Sequence, residues 1–235
     1  MLELLRREFE GRVVVAVATD RDDGDLHPGR VDPGELMTRQ LAVAGRTWTM
    51  VDEVHGVEVH RCAANPEWVP TSATADIVVA RPGDGPVAIW AADCAPVILF
   101  DRDGSTIACH AGWRGLAGGV IDAAVAATGR PVDVLAVLGP TIHPCCYEFG
   151  AADLEQVAVA LDVAPDAIAG RTRAGQLALD VPATVRHALG RHGISLVAAG
   201  PCTGCDPRWY SHRVRRDLGR HAVVAWTETT RSEAA

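Results

Sequence analysis

The stretch Ala91–Gly115, AADCAPVILFDRDGSTIACHAGWRG, decides how this chain is read. Ala95–Asp101 and Thr106–His110 are apolar, β-rich runs around Asp103-Gly104, a strong short-range hairpin signal. Asp93-Cys94 stands at the start of the first run and Cys109-His110 ends the second; Gly112-Trp113-Arg114-Gly115 follows. A thiol, an imidazole, a carboxylate and a guanidinium are thus gathered around one supersecondary unit. A two-residue turn at Asp103-Gly104 sets residue 97 opposite residue 110, which puts Cys94 and His110 on opposite faces. A three-residue loop restores matching parity, and Pro96 can bend the strand. Proximity of Cys94 and His110 follows either way; their convergence depends on the loop.

Outward from this hairpin, strands are predicted at Val13–Thr19, Arg46–Val54, Val57–Cys62, Ala75–Ala80 and Val87–Ala91, with His55-Gly56 as a turn between the second and third. Glu35–Ala44 is predicted as a short helix, and Asn65–Ala73 as loop. Leu116–Thr128 has helical spacing and stops at Gly129. Val132–Leu138 and Ile194–Ala199 are predicted strands, and Ala222–Thr227 is the last. Ala151–Asp162 and Pro182–His192 are predicted helices, the second opened by a proline. Gly139–Gly150 and Pro201–Tyr210 are Cys-bearing loops, and Glu228–Ala235 is a polar tail expected to fray. Hairpins mixed with helices imply a layered α+β or mixed α/β fold.

Composition narrows the chemistry. The 235 residues fit one domain, and 48% hydrophobic content sustains a sizeable core. A formal charge of −8 disfavours nucleic acid as a partner. All 22 basic residues are arginine, which excludes a Schiff-base lysine and a P-loop lysine. The N-terminal MLELLRREFEGR is too charged for a signal peptide, and the longest apolar run, Val87–Phe100, is too short for a bilayer. A soluble cytoplasmic protein with no membrane partner is the expectation. Seven unevenly spaced cysteines read as free thiols or metal ligands rather than a disulfide framework.

His55, Cys94 and His110 would make a three-ligand metal site of N and S donors with one open position. Alternatively, His110 could deprotonate Cys94 as a nucleophile. Asp93 is an unusual neighbour, because a carboxylate is rarely buried without a partner. Arg114, at a glycine-flanked helix start, is a candidate for a phosphate or carboxylate. His143-Pro-Cys145-Cys146 and Cys202-Thr-Gly-Cys205 form a second candidate set, for a structural zinc; its vicinal pair chelates poorly, and buried thiols in two adjacent loops are the plainer reading.

Four segments, AADCAPVILFD (91–101), HAGWRG (110–115), LGPTIHPCCYEFG (138–150) and CTGCDPRWYSHR (202–213), resemble the signatures of the YfiH-like proteins. These proteins were once called laccase-domain or multicopper polyphenol oxidases and are now regarded as zinc-dependent purine nucleoside enzymes. The resemblance implies a four-layer α/β/β/α sandwich with mixed sheets, as a single domain over residues 1–235. It implies one zinc held by His55, Cys94 and His110. It also implies phosphorolysis of adenosine, inosine, guanosine and methylthioadenosine, and deamination of adenosine. Purine nucleosides and phosphate are then the partners, and a monomer or homodimer the expected state. Asp93 and Arg114 are the expected catalytic residues, Asp93 orienting a ligating His or contacting the purine and Arg114 holding phosphate.

Two departures from the family pattern stand out. The N-terminal Thr-Thr-Arg segment is replaced by the acidic Ala18-Thr19-Asp20-Arg21-Asp22-Asp23-Gly24, and the Gln two before the His is Glu53. If that loop holds phosphate or ribose, its acidity weakens the grip. The rival readings are a copper-dependent polyphenol oxidase (laccase), a Cys-His hydrolase using Cys94, and a nucleoside-binding homologue without turnover. Copper accepts Cys and His ligands, but nine scattered histidines with no His-x-His pair supply several copper sites poorly.

Overall fold

The computed structural model describes residues 1–63, 67–71, 73–129 and 133–229. Strands β1 (Leu2–Phe9) and β2 (Arg12–Ala18) form an antiparallel hairpin across Glu10-Gly11, both at positive φ, as a tight two-residue hairpin turn requires. Helix α1 (Pro33–Ala44) starts where the Asp32 carboxylate accepts from the Gly34 and Glu35 amides, and stops at left-handed Gly45. Then come β3 (Val59–Arg61), β4 (Ile77–Ala80), β5 (Val87–Ala91), β6 (Ala95–Phe100) and β7 (Thr106–Ala111). Helices α2 (Trp113–Gly118) and α3 (Val120–Ala126) are split by Gly119 at φ 84°. They are followed by β8 (Leu135–Leu138), α4 (Ala151–Leu161), β9 (Ala169–Arg171), β10 (Leu177–Leu179) and α5 (Val181–Gly190). The chain continues through β11 (Leu196–Ala199), α6 (His212–Arg215) and β12 (His221–Thr229).

Two sheets stack between helices. One has the order β1-β2-β12-β5, the other β11-β8-β6-β7-β4-β3, and β9 with β10 makes a separate ribbon. The six-stranded sheet is mixed, since β3/β4 and β8/β11 are parallel and the remaining pairs antiparallel. Alternation along each strand assigns its faces. Val97, Leu99, Ile107 and Cys109 face one core with α2 to α5, whereas Ile98, Phe100, Val78 and Ala108 meet Ala16, Ile89 and Val223 between the sheets. On the outer face of the four-stranded sheet, Val15, Val17 and Val224 pack with Leu36 of α1. The order α1, sheet, sheet, α2–α5 is the α/β/β/α sandwich that the resemblance implied.

Several expected elements differ. Arg46–Val54 and Val57–Cys62 do not pair as a hairpin. Residues 46–54 make only isolated bridges, Thr49 to Val87 and Asp52 to Thr74, and Val59–Arg61 pairs parallel with β4. The reason is local: the amides at the His55-Gly56 turn are taken by the Asp76 carboxylate instead of a facing strand. The Leu116–Thr128 helix is two helices, because Gly119 is left-handed. Strands β1, β9 and β10 and helix α6 were not expected. Part of the 65–73 loop, Val132 of the predicted 132–138 strand and most of the 228–235 tail lie outside the described residues, while Glu228 and Thr229 complete β12.

The β6–β7 hairpin resolves the parity question. Pro96 faces His110, and Asp101 closes on Ser105 around the three-residue tip Arg102-Asp103-Gly104. Gly104 sits at φ 89°, the left-handed position such a tip needs. Cys94, two residues before Pro96, therefore shares a face with His110. That face is the inter-sheet one.

At β12, His221 is wholly buried, and neither ring nitrogen has a hydrogen-bond partner. Burial pushes its pKa from 6.5 down to about 4, with the nearby Pro140 carbonyl pulling the other way. Because the folded pKa lies below the unfolded one, the neutral ring is tolerated above about pH 6.5, and stability is lost as pH falls toward 4. Between about pH 7 and about pH 5, wild type is expected to lose about 2 kcal/mol more than His221→Leu in urea unfolding. Parallel losses in the two proteins would refute this assignment.

Candidate metal centre and adjoining cavity

Three side chains from separate segments converge at one end of the inter-sheet layer. The His55 ring nitrogen Nε2 lies 3.8 Å from Cys94 Sγ, and the donor atoms of His55, Cys94 and His110 all lie within 4.8 Å of one another. The His55 and His110 rings stand edge to face with centroids 4.8 Å apart. Each position has a local cause. His55 sits at φ 63° in its turn, Cys94 follows Asp93 at φ 96°, and His110 is fixed by the hairpin register. Gly112 faces Cys94 across that register: a Cβ there would lie 2.5 Å from His55 Cδ2 and 3.3 Å from Cys94 Sγ. The cradle therefore exists only because residue 112 has no side chain.

Asp76 organises the two histidines. It is fully buried and accepts from the amides of His55 at 2.8 Å and Gly56 at 2.6 Å. The same carboxylate meets His110 Nδ1 at 2.8 Å, and the Asp76 carbonyl accepts the His110 amide. With Nδ1 held, His110 presents Nε2 to the site, the arrangement by which a carboxylate fixes a ligating imidazole. Asp76 lies directly before β4, whose antiparallel register with β7 places it beside His110. Glu53 stands behind, with one oxygen accepting from the Trp90 amide and the other 3.6 Å from His110 Nδ1.

The electrostatics favour a thiolate. Burial raises the Cys94 pKa, but His110 and His55 outweigh it and bring the thiol down to about 6. Burial opposes protonation of His110, yet Glu53, Cys94 and Asp76 hold its pKa well above the ordinary value. Burial pushes Glu53 up to about 8 despite the attraction of His110. Two imidazole nitrogens and one thiolate sulfur fit zinc: tetrahedral coordination separates N and S donors by about 3.6 Å and leaves a fourth position for water or substrate.

A cavity of about 290 Å³ opens on these groups, walled by Trp113, Arg114, Tyr147, His212 and Arg213 among others. Three larger clefts, about 330, 460 and 520 Å³, are lined by none of the three donors. Arg114 lies over the Trp113 ring at 4.4 Å, and Arg213 over the Tyr147 ring at 4.9 Å. Both guanidinium groups are exposed on the cavity side of the molecule.

His55, Cys94 and His110 are thus brought together, and Asp93 and Arg114 line the same cavity. Asp93 lines the cavity, but its carboxylate accepts from Thr203 Oγ1 and the Arg213 amide, both at 2.6 Å. The carboxylate that holds a histidine is Asp76. The helix start after Gly112 belongs to a helix of only six residues, and Arg114 in its first turn lines the cavity. The acidic N-terminal loop does not line the cavity. Asp20 and Asp23 pair with the terminal amine, and Arg21 pairs with Asp217. Arg213 and Asp76 were missed, although Arg213 ends the CTGCDPRWYSHR signature.

The family model for multi-copper polyphenol oxidoreductase laccase matches residues 31–228. A purine nucleoside phosphorylase of Xylella fastidiosa is 40% identical over 74% of this chain and 70% of its own length. Another of that name, from Streptomyces coelicolor, is 34% identical over 86% of this chain and 84% of its own. The crystal structure of a hypothetical YfiH protein from Bacillus licheniformis superposes with a TM-score of 0.77 at 23% identity, covering 94% of this chain and 98% of that one. A Neisseria meningitidis protein superposes at 0.75 and 26% identity, covering 96% and 99%. Among the described residues, no helix is long and apolar enough to cross a membrane.

Proposed function

The chain belongs to the multi-copper polyphenol oxidoreductase laccase family, the YfiH family, and on that premise we propose that it is a zinc-dependent purine nucleoside phosphorylase. The observation that carries this reading is the sharing of one cavity by the His55, Cys94 and His110 donors, two exposed arginines and two aromatic rings. His55, Cys94 and His110 would hold the ion, which when bound supplies Lewis-acid polarisation of a substrate atom.

The remaining tasks fall to the chain itself. Arg114 and Arg213 give phosphate charge-assisted hydrogen bonds and stabilise the charge of the attacking anion. Trp113 and Tyr147 give the cavity aromatic surface against which a planar purine can pack. Asp76 keeps the His110 ring in one tautomer and orientation. Asp93, through Thr203 and the Arg213 amide, holds the wall that carries Arg213, and its position leaves a purine contact open to it. Deamination of adenosine is proposed as a second activity of the same centre, acting on the amine-bearing purine carbon. A cytoplasmic location and a single functional domain complete the reading.

The test is a panel of adenosine, inosine, guanosine and methylthioadenosine, with and without phosphate, followed by chromatography of free base and of inosine. Phosphate-dependent base release is expected; no release and no deamination would leave a binding protein without turnover. Arg114→Ala and Arg213→Ala are each expected to raise the KM for phosphate at least about tenfold, the loss of one charged hydrogen bond. An unchanged KM in both would remove the phosphate assignment. Copper oxidation of phenols is the poorer fit, because among the described residues only one metal-capable group contains histidine. Oxygen uptake with a phenol and copper at that group would reverse this preference.

A further inference from the structure

The second cysteine set converges. Cys145 Sγ lies 3.7 Å from Cys146 Sγ, 3.8 Å from Cys202 Sγ and 3.3 Å from Cys205 Sγ, and Cys146 and Cys205 are 3.6 Å apart. All four sulfurs fall within 4.8 Å of one another, and none is in a disulfide. Four sulfurs around a tetrahedral zinc at about 2.3 Å are separated by about 3.8 Å. The cluster already has nearly those edges. The vicinal pair, unpromising as a sequence, works here because Pro144–Cys146 is a short 3-10 turn that sends both sulfurs toward Cys205.

Other features of the two loops agree. Cys202-Thr-Gly-Cys205 folds into a turn in which the amides of Cys205 and Asp206 both return to the Cys202 carbonyl. Gly204 is required by space, because a Cβ there would lie 2.7 Å from Cys146 Cβ and 2.9 Å from its sulfur. Two donors are aimed at the sulfurs: the His143 amide at Cys202, 3.3 Å, and Arg173 Nη2 at Cys205, 3.1 Å. Such donors stabilise sulfur as thiolate, and Arg173 offsets part of the negative charge of a four-thiolate site.

We propose that Cys145, Cys146, Cys202 and Cys205 form a second, structural zinc site, closed by four protein ligands and separate from the His55–Cys94–His110 centre. Binding displaces the thiol protons to solvent and changes no oxidation state. The ion clamps the loop carrying Tyr147 to the loop carrying Thr203, and Thr203 in turn holds Asp93. The site thereby fixes the far wall of the cavity while contacting none of its contents. This assignment does not depend on the phosphorylase reading.

The deciding protein is the His55→Ala/Cys94→Ala double variant of the full chain, which lacks the first centre. It is expected to retain about one zinc per chain by elemental analysis. Its cobalt derivative should show the thiolate-to-metal charge transfer and intense visible bands of an all-sulfur tetrahedral site. In wild type, these four thiols should react with a disulfide reagent only after chelation, with a fall in melting temperature. Adding Cys145→Ser and Cys205→Ser to the double variant should abolish the remaining zinc. The proposal is overturned by a metal-free double variant, by copper in place of zinc at these sulfurs, or by a Cys145–Cys205 disulfide in non-reducing peptide maps. Because the thiol-reactivity measurement uses wild type, a variant that fails to fold leaves the question decidable.

Discussion

Cys94→Ser and His110→Ala should each empty the His55–Cys94–His110 centre and lower kcat/KM for phosphorolysis by about a thousandfold or more. The magnitude follows from losing the several kcal/mol of charge stabilisation that a bound Lewis acid supplies. His110 is buried and held by Asp76, so its loss also leaves the Asp76 carboxylate without a partner. His110→Ala should therefore be destabilised as well, by about 3 kcal/mol. Cys94 is half-buried at the cavity and makes no comparable structural bond, so Cys94→Ser should fold normally. The pair of variants thus separates loss of metal from loss of fold. Metal content and initial rates, before and after adding zinc to chelator-treated wild type, check the point. Full activity in metal-stripped wild type would instead favour Cys94 as a nucleophile, and iodoacetamide would then inactivate it.

Asp76→Ala is the second large effect. One carboxylate serves the backbone of the His55 turn and the ring of His110. Its removal takes the acceptor from the amides of Val54, His55 and Gly56 and from an imidazole N–H, which should lower stability by about 3 kcal/mol. The ligands keep their identity but lose their alignment, so zinc affinity should fall about 10–100-fold. Asp76→Asn separates these effects. It fills the same space but turns an NH₂ group toward at least one donor, so it should fold better than Asp76→Ala and still bind zinc weakly. Competition with a colorimetric chelator measures the affinity, and wild-type affinity in both variants would refute the role.

How far the sequence could be read depended on whether a residue's partner was near it along the chain. The β6–β7 hairpin and helices α1, α4 and α5 are legible because periodicity and end signals lie within each segment, as with Asp32 capping α1, Pro33 in its first turn, and Asp180 and Pro182 at α5. Strand β1 was not, since it is an edge strand whose largely polar face is open to solvent. Strands β9 and β10 are three residues each, too short to show a period. At the site, Cys94 and His110 stood out as chemistry beside a turn, whereas Asp76 opens an apolar strand far in sequence from both its partners. An inward Asp needs a partner, and Asp93 finds its partners in Thr203 and the Arg213 amide. Asp76 obeys the same rule, and its partners are the two histidines.

The tip Arg102-Asp103-Gly104 touches none of the metal donors, yet it acts as the counter that keeps the two arms of the hairpin in phase. His110 stands five residues from Ser105, about 17 Å along an extended strand. Adding or deleting one residue at the tip would advance β7 by one step against β6. The imidazole would rotate out of the inter-sheet layer toward the helices, and its place would fall to Cys109 after an insertion or to Ala111 after a deletion. The tip can drift in composition, apart from the left-handed glycine, but its length is under the same constraint as the ligands. A gene gaining or losing one codon there would encode all three donors and leave His110 turned away from the other two.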